Sequence, residues 1–179
     1  MPSGIIVFGA NGSGKSTLGQ ELARVLSFKY MDIEDYHFIK SEVPYTAARA
    51  REDCLHLMLA DIKKHQSFVL SAVIGDFGED ISSMYDLAVF MSAPLKTRIE
   101  RINQRACEQH GDRIREGGDM YDQHLKFIDF VTSRSLERIE YWAETLVCPV
   151  IYIDGTKSIS ENTEVVVEKY LHVSSVKCY

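Results

Sequence analysis

The residues of this sequence that are best suited to chemistry lie in one glycine-rich run, residues 9–17. The run has the spacing G-x-x-x-x-G-K-[ST], in which glycines let several backbone N–H groups converge on a phosphate. Lys15 is expected to act in catalysis by bridging the β- and γ-phosphates of a nucleoside triphosphate, and Ser16 to offer its hydroxyl to Mg2+. The predicted nucleotide-binding residues of this run are Gly9, Ala10, Asn11, Gly12, Ser13, Gly14, Lys15, Ser16 and Thr17.

The segments on either side of the run support this interpretation. An apolar segment, Ile5–Phe8, precedes it and predicts a strand, and helix-forming residues after it predict a helix over 15–26. A plain glycine turn between a strand and a helix would not need the Lys-Ser pair. The N-terminus of the predicted helix also directs its positive dipole end at a bound anion.

Apolar runs alternate with helical periodicity along the rest of the chain, which is typical of a parallel sheet covered by helices on both faces. At 179 residues with 45% hydrophobic content, the chain is long enough for one α/β domain, which we place at residues 1–179. Further strands are predicted at 28–31, 67–74, 86–91 and 149–153, and further helices at 46–64, from Pro94 onward, at 121–144 and at 158–171. Ser158 and Glu161 have the spacing of a capping box.

Charge and cysteine content narrow the class of protein. A net charge of −6 and an isoelectric point near 5.5 argue against broad binding to nucleic acid or to anionic membranes, because both need a cationic surface. The four cysteines form no C-x-x-C pair, which indicates reduced thiols and not a zinc site. No apolar stretch approaches the roughly 18 residues of a membrane-spanning helix, and no secretory signal is recognised. We therefore expect a soluble cytoplasmic protein.

Acidic residues follow two of the predicted strands. Asp32, Glu34 and Asp35 come after the second strand, and Asp76 follows the third. Ligands of an open parallel sheet collect at the carboxyl ends of its strands. A carboxylate there can hold Mg2+ through water or accept the proton of an attacking hydroxyl. We expect at least one of the first three to act at the site, and we predict Glu34, Asp35 and Asp76 as contacts of an acceptor; a solvated acidic loop is the alternative.

Arginines form a second group of candidates. Arg98, Arg101 and Arg105 are spaced i, i+3 and i+7, so they form one stripe on a helix. The stripe leads into residues 108–120, which are rich in glycine and charge, so we expect a mobile lid without core residues. Arg105 and Arg113 are predicted to neutralise the charge that develops during phosphoryl transfer while the lid excludes water. Surface ion pairs are the alternative.

Two further pairs of arginines are weaker candidates. Arg49 and Arg51 lie in the segment 33–65, where an acceptor would bind, and we predict Arg49 as a contact of an anionic acceptor. Arg134 and Arg138 are spaced i, i+4 on a predicted helix, which also suits ordinary helix pairing. Solvated side chains on a helix surface are the alternative for both pairs.

These features together resemble the small P-loop kinases of the adenylate kinase, shikimate kinase and gluconate kinase group. Residues 9–23 are similar to their phosphate loop and first helix, and 32–35 to the acidic D-x-D-type element after the second strand. Residues 101–105 are similar to the R-x-x-x-R segment before the lid, and 153–157 to the adenine-binding loop of adenylate kinases. The first stretch is far more specific than the other three.

The resemblance implies a fold, cofactors and roles for individual residues. It implies a sheet of order 2-3-1-4-5, ATP with Mg2+, and transfer of the γ-phosphoryl group to a small acceptor. It also implies that Asp32 is the leading catalytic or Mg2+-organising carboxylate, that Arg101 lies against adenine, and that Arg105 touches phosphates. The base would be lined by the backbone of Gly155, Thr156 and Lys157.

The sequence also departs from members of that group. Nucleoside monophosphate kinases carry an arginine after the third strand and shikimate kinases a glycine triplet, whereas residues 73–77 read Val-Ile-Gly-Asp-Phe. The acceptor and the oligomeric state therefore stay open. ABC-type ATPases need an L-S-G-G-Q signature and GTPases an N-K-x-D sequence, and neither occurs. A regulatory nucleotide-binding switch without a small acceptor remains the alternative to a kinase.

Overall fold

A parallel β-sheet forms the centre of the fold. The computed structural model describes residues 2–42 and 45–176, and within them five strands pair in the order β2-β3-β1-β4-β5. Every pairing is parallel, which confirms the predicted sheet. The strands are β1 (Ser3–Phe8), β2 (Lys29–Asp32), β3 (Ser67–Ala72), β4 (Tyr85–Ser92) and β5 (Val150–Asp154).

Helices connect the strands and cover the sheet. The helices of the described residues are α1 (Lys15–Leu26), α2 (Ile33–His37), α3 (Arg51–His65), α4 (Glu79–Ser82), α5 (Leu95–His110), α6 (Tyr121–Ser133), α7 (Glu137–Glu144) and α8 (Ile159–Val176), with a short 3-10 helix at Gly111–Ile114. Ser158 and Glu161 cap α8 as predicted, because each side chain bonds the other residue's backbone N–H, at 3.1 and 3.3 Å. None of the helices traced in residues 2–42 and 45–176 has the length and apolar character needed to cross a membrane.

Each face of the sheet has its own apolar core. Alternate residues of a strand point to opposite faces, so Ile6 and Phe8 of β1 join one cluster and Ile5 and Val7 join the other. The first cluster includes residues of α3 and α7, namely Met58, Ile62, Ile139 and Ala143. The second includes residues of α1 and α8, namely Leu18, Leu22, Val166 and Tyr170. This two-sided burial holds the carboxyl ends of β1, β2 and β3 in fixed positions beside the loops that follow them.

The helix predicted over 46–64 begins only at Arg51. The residues before it pair with the chain that follows α2: Arg49 N–H donates to the carbonyl of His37 at 2.7 Å, and Ala48 forms an antiparallel bridge with Phe38. Backbone groups engaged across two segments in this way are not available for a helical turn. The prediction was wrong for residues 46–50.

The single helix predicted over 121–144 is two helices. Backbone dihedrals at Arg134 are extended, with φ −74° and ψ 121°, which ends α6. The hydroxyl of Ser135 then accepts a hydrogen bond at 3.2 Å from the N–H of Glu137, the first residue of α7. The break redirects the chain between the two helices and brings Arg134 to the phosphate loop.

The segment predicted as a lid contains more helical structure than its composition suggested. α5 continues to His110, the 3-10 helix follows directly, and Ile114 is buried. The expectation that this segment holds no core residue was therefore wrong. Its arginines pair locally: Arg113 makes a two-pronged contact with Asp119 at 2.9 and 2.7 Å, and Arg115 contacts Asp112 at 2.8 Å.

Candidate active site

The phosphate loop occupies the turn between β1 and α1, at the carboxyl end of the central strand. Gly12 has a left-handed backbone with φ 79°, and a Cβ at this position would lie 2.5 Å from the carbonyl oxygen of Arg98. Glycine is required here both for the backbone angle and for the close approach of α5. The N–H of Ser13 donates to the carbonyl of Ala10 at 3.2 Å, which holds the curve of the loop.

The start of α1 is built for an anion. Its N-cap is Gly14, which offers no side chain to cap the helix, and the first turn contains no acidic residue. The first N–H groups of a helix have no partner within the helix, and its dipole favours negative charge there. The buried hydroxyl of Ser13 has no hydrogen-bond partner within the described residues. These features fit the phosphates of a nucleoside triphosphate.

Lys15 lies at the centre of a group of charged side chains. Burial is the main cause that lowers the pKa of Lys15, and the nearby positive charges of Arg105 and Arg134 lower it further. Glu34 and Asp32 act in the opposite direction. The structure therefore brings two predicted carboxylates and two predicted arginines within electrostatic reach of the phosphate-loop lysine. Arg134 comes close to the phosphate loop because the chain changes direction at the break between α6 and α7.

Asp32 is the last residue of β2, paired with Ser71 of β3. One of its carboxylate oxygens accepts the N–H of Glu34 at 3.1 Å and so caps α2, and the other accepts the hydroxyl of Tyr30 at 2.9 Å. Burial is the main cause that raises the pKa of Tyr30, and the nearby hydroxyls of Ser71 and Ser16 act in the opposite direction. Tyr30 therefore lies close to both Asp32 and Ser16, the two residues predicted to hold Mg2+.

Sequence reasoning missed Tyr30 and Ser71. Tyr30 precedes Asp32 by two residues on one strand, so both side chains point to the same face. The spacing of two residues could therefore have indicated from the sequence that Tyr30 lies beside Asp32. Ser71 interrupts an apolar run in β3 and is fully buried, and its hydroxyl donates to the carbonyl of Lys15 at 3.2 Å. A buried polar residue in a central strand calls for a partner, but the sequence does not show which one.

The residues present suit Mg2+ in particular. No group of three or more His, Cys, Asp or Glu side chains that could hold a metal occurs within residues 2–42 and 45–176. Mg2+ in phosphate sites is held by one or two protein oxygens, with phosphates and waters completing the shell. Ser16 and Asp32 meet that requirement.

A cavity of about 400 Å3 adjoins the phosphate loop. Asn11 of the loop, Glu34 of α2 and Arg105 of α5 line it at this end, and parts of the 3-10 helix and α6 line the remainder. Burial and the charge of Asp32 raise the pKa of Glu34, while Lys15 and Arg105 oppose them. Glu34 and Arg105 are therefore shared between the cavity and the surroundings of Lys15.

A second cavity of about 420 Å3 lies on another side of the loop, where β4, β5 and α7 meet. Its acidic residues are Glu140 and Glu144, both exposed. None of the charged groups that act on Lys15 lines it. The first cavity is therefore the one that adjoins the charged groups around Lys15.

Arg101 joins the phosphate loop to the loop after β5. Its guanidinium donates to the carbonyl oxygens of Ser13 at 3.2 Å and Gly155 at 2.8 Å. Gly155 is buried, and a Cβ there would lie 2.9 Å from the carbonyl oxygen of Ser92. The loop predicted to bind adenine is thus packed directly against the phosphate loop.

Most backbone donors of that adenine loop are used inside the protein. The N–H of Gly155 donates to Ser92 at 2.7 Å, and those of Thr156 and Lys157 donate to Asp154 at 2.8 and 3.2 Å. An adenine amino group is a donor and needs an acceptor. Recognition of the base would therefore use the carbonyl oxygens of Thr156 and Lys157.

The structure separates the members of the predicted arginine stripe. Arg98 is buried and donates to the carbonyls of Ala93 at 3.2 Å and Asn11 at 3.4 Å. Its side chain therefore holds the phosphate loop against the start of α5. Arg101 and Arg105 lie further along α5 at the loop after β5 and at the cavity. The three arginines lie on one helix as predicted, but Arg98 packs on the phosphate loop and does not face the lid segment.

The remaining predicted acceptor contacts lie outside the cavity. One nitrogen of Arg49 donates to the carbonyls of Asp35, Tyr36 and Phe38, at 3.0, 2.8 and 3.0 Å, and so ends α2. The side chains of Asp35 and Asp76 are exposed, and neither lines the cavity. Their roles as acceptor contacts stay predictions, as does the catalytic role of Arg113.

Comparison with known proteins agrees with this geometry. The family described as AAA domain matches residues 5–122, which include the phosphate loop, the acidic segment and α5. The chain belongs to this family. A full-length relative is Uncharacterized protein YqaC of Bacillus subtilis (strain 168), 29% identical over 178 residues that cover 94% of this chain and 97% of the relative.

Two further comparisons involve kinases. Probable gluconokinase of Rattus norvegicus is 34% identical over 79 residues, which cover 39% of this chain and 43% of that protein. The crystal structure of shikimate kinase from Bacteroides thetaiotaomicron superimposes with a TM-score of 0.60 at 18% identity, covering 94% of this chain and 98% of the other. This AAA-domain protein therefore has the fold of the small P-loop kinases, as the resemblance implied.

Proposed function

We propose that this protein transfers the γ-phosphoryl group of ATP to a hydroxyl of a small molecule. The observation that carries the proposal is that Glu34 and Arg105 line a cavity of about 400 Å3 and also lie within electrostatic reach of Lys15. A nucleotide switch would not need an acceptor-sized cavity at this point. The proposed compartment is the cytoplasm, where ATP is available.

The positive side chains bind and orient the nucleotide. Lys15 and the N–H groups at the start of α1 hold the β- and γ-phosphates, and Arg105 faces the γ-phosphoryl group from the cavity side. Arg101, which joins the phosphate loop to the loop after β5, is proposed to stack on the base. Ser16 and Asp32 would hold Mg2+, which would supply charge neutralisation at the phosphate oxygens.

Glu34 is the residue proposed to receive the acceptor's proton. The acceptor oxygen forms a bond to the γ-phosphorus while the bond from that phosphorus to the β–γ bridging oxygen breaks, ADP leaves, and the hydroxyl proton passes to Glu34. A raised pKa makes this carboxylate a better base than an ordinary exposed glutamate. Asp32, which the sequence placed first, is committed to capping α2 and to Tyr30, so its proposed role is to organise Mg2+.

The relatives support a kinase without naming the acceptor. A gluconokinase matches by sequence over part of the chain and a shikimate kinase matches by fold, and these two enzymes are named for different acceptors. Their common feature is phosphoryl transfer, which is the part carried over here.

The test is ADP formation in a broad panel of hydroxyl compounds. At least one compound should raise ADP release well above the rate with water. Glu34→Gln should lower that stimulated rate by about 100-fold or more while ATP affinity, measured by calorimetry, persists. Glu52→Gln, an exposed carboxylate on α3, is the matched control and should retain the rate.

The same assays include the results that oppose the proposal. Lys15→Ala should remove ATP binding, and unchanged affinity in that variant would show that the phosphate loop is not the nucleotide site. A panel in which no compound exceeds the water rate, together with an ATP-dependent change in affinity for a protein partner, would favour a regulatory switch.

A further inference from the structure

The cavity beside the phosphate loop has an unusual lining for a site that would hold an anionic acceptor. Its apolar side chains are Phe38, Tyr45, Ile102, Ile114, Met120 and Phe127, and apart from Glu34 and Arg105 its polar side chains are amides and histidines. These side chains come from the chain after α2, from α5, from the 3-10 helix, from the turn before α6 and from α6 itself. Apolar walls with a few placed polar groups are typical of sites for small organic molecules.

Cations that could hold an acceptor's carboxylate or phosphate are scarce at this site. Arg105 is the single arginine or lysine among the described residues that line the cavity, and it also faces the nucleotide phosphates. Arg49 is occupied by three backbone carbonyls, and Arg113 by Asp119. An anionic acceptor would therefore have to share Arg105 with the nucleotide, and a charge held against apolar side chains without a counter-ion of its own is unfavourable.

One of the two histidines of the lining, His124, is engaged within the protein. His124 bonds Asn103 at 2.9 Å, and burial followed by the charge of His110 lowers its pKa, which disfavours the charged form of the ring. Glu34, at the phosphate-loop end, adds negative charge that repels an anion and attracts a hydroxyl donor.

We infer that the acceptor is an uncharged, hydroxyl-bearing compound with an aromatic or apolar ring, such as a nucleoside or an aromatic alcohol, and not a sugar acid or a nucleotide. This inference rests on the proposed phosphotransferase function. The ring packs among Phe38, Tyr45 and Phe127, and the hydroxyl points to Glu34 and the γ-phosphoryl group. The atoms move as in the transfer step given above.

The test uses pairs of compounds that differ in one anionic group. The pairs are adenosine with AMP, uridine with UMP, and pyridoxine with 4-pyridoxate, and D-glucose serves as an uncharged acceptor without an apolar ring. ADP release is measured with each. At least one uncharged ring compound should exceed its charged partner and D-glucose by about tenfold or more in kcat/KM.

Variants locate the effect in the cavity. Phe127→Ala should raise KM for the active ring compound about tenfold, whereas Leu125→Ala, an exposed position on the same helix, should leave it unchanged. Gln109→Arg adds a cation to the cavity wall and should shift preference toward the charged partner by about tenfold or more. If Gln109→Arg leaves the preference between the uncharged and the charged compound unchanged, that result would count against the argument that charge selects the acceptor.

The outcomes separate this inference from the proposed function. A charged partner or D-glucose that matches the ring compounds overturns the inference and leaves the phosphotransferase standing. If no compound raises ADP release, the proposed function fails. Saturation-transfer NMR with the same compounds, in the presence of a nonhydrolysable ATP analogue, then decides the inference: signals from uncharged rings that Phe127→Ala removes support the cavity's preference, and their absence overturns it.

Discussion

Arg101 offers the sharpest test of how the nucleotide site is assembled. Its guanidinium is half-buried and donates to the carbonyls of Ser13 at 3.2 Å and Gly155 at 2.8 Å. A hydrogen bond from a charged donor contributes about 1.5–3 kcal/mol. The bond of 3.2 Å is long, so its contribution lies at the low end of that range. In the variant, water hydrogen-bonds the two carbonyl oxygens and recovers part of the lost free energy. Arg101→Ala should therefore lower the free energy of unfolding by about 2–4 kcal/mol.

Urea unfolding followed by the fluorescence of Trp142 is the assay. Trp142 is the single tryptophan of the sequence and packs edge-on against Phe8, with ring centroids 4.7 Å apart, so it reports on the core. With a slope of about 2 kcal/mol per molar urea, the midpoint should fall by about 1–2 M. Arg101→Lys should give about half that shift, because an ammonium is a single point charge and does not reproduce the fork of two donors.

Arg24→Ala is the matched control, since Arg24 is an exposed arginine paired with Glu21 and its removal should leave the midpoint unchanged. Equal midpoints for Arg101→Ala and Arg24→Ala would refute the reasoning. A second readout concerns the base: Arg101→Ala should weaken ATP more than it weakens tripolyphosphate, and equal losses would mean that Arg101 acts only through the loop.

Three other perturbations test separate parts of the site. Burial and Asp32 raise the pKa of Glu34 above its ordinary value of 4.5, so Glu34 contributes stability that is fully present below that value and is lost as pH rises through the folded pKa. In urea titrations the free energy of unfolding of Glu34→Gln should therefore rise relative to that of wild type across that pH window. A constant difference between the two proteins would contradict this. Gly12→Ala places a Cβ 2.5 Å from a backbone oxygen at a φ of 79°, so calorimetry should show ATP affinity reduced about tenfold or more. Tyr36→Phe removes a 2.6 Å hydrogen bond to Asp61 and should lower the unfolding free energy by about 1 kcal/mol with ATP affinity unchanged; a loss of affinity would tie α2 to nucleotide binding.

The parts of the fold that local pattern determines were predictable. The helix after the phosphate loop was predicted over 15–26 and spans Lys15–Leu26, because a glycine-rich loop marks its start and its apolar positions mark its length. The strands were placed within about two residues of their ends, since fully buried strands read as continuous apolar runs. The sheet order came from the resemblance, because periodicity does not tell which strands are neighbours.

The parts that depend on contacts between distant segments were not predictable. Residues 46–50 carry an acceptable helical pattern, yet they pair with residues 37–39. The spacing of Arg98, Arg101 and Arg105 showed a common stripe, but not that the phosphate loop would cover its first member. The candidate site shows the same division: the loop residues could be predicted one by one from the motif, whereas the proposal of Glu34 as base required knowledge of the cavity.

Helix α5 also restricts which changes evolution can accept in this chain. Arg98 contacts the phosphate loop, Arg101 the loop after β5, and Arg105 the cavity. The spacing between these three parts of the site is therefore set by a single helix. Inserting one residue between Arg101 and Arg105 would turn everything downstream by about 100° and direct Arg105 away from the cavity, even though every side chain was retained. Natural variation in α5 should therefore consist of substitutions on its exposed face, and gains or losses of residues should be confined to the loops at its ends.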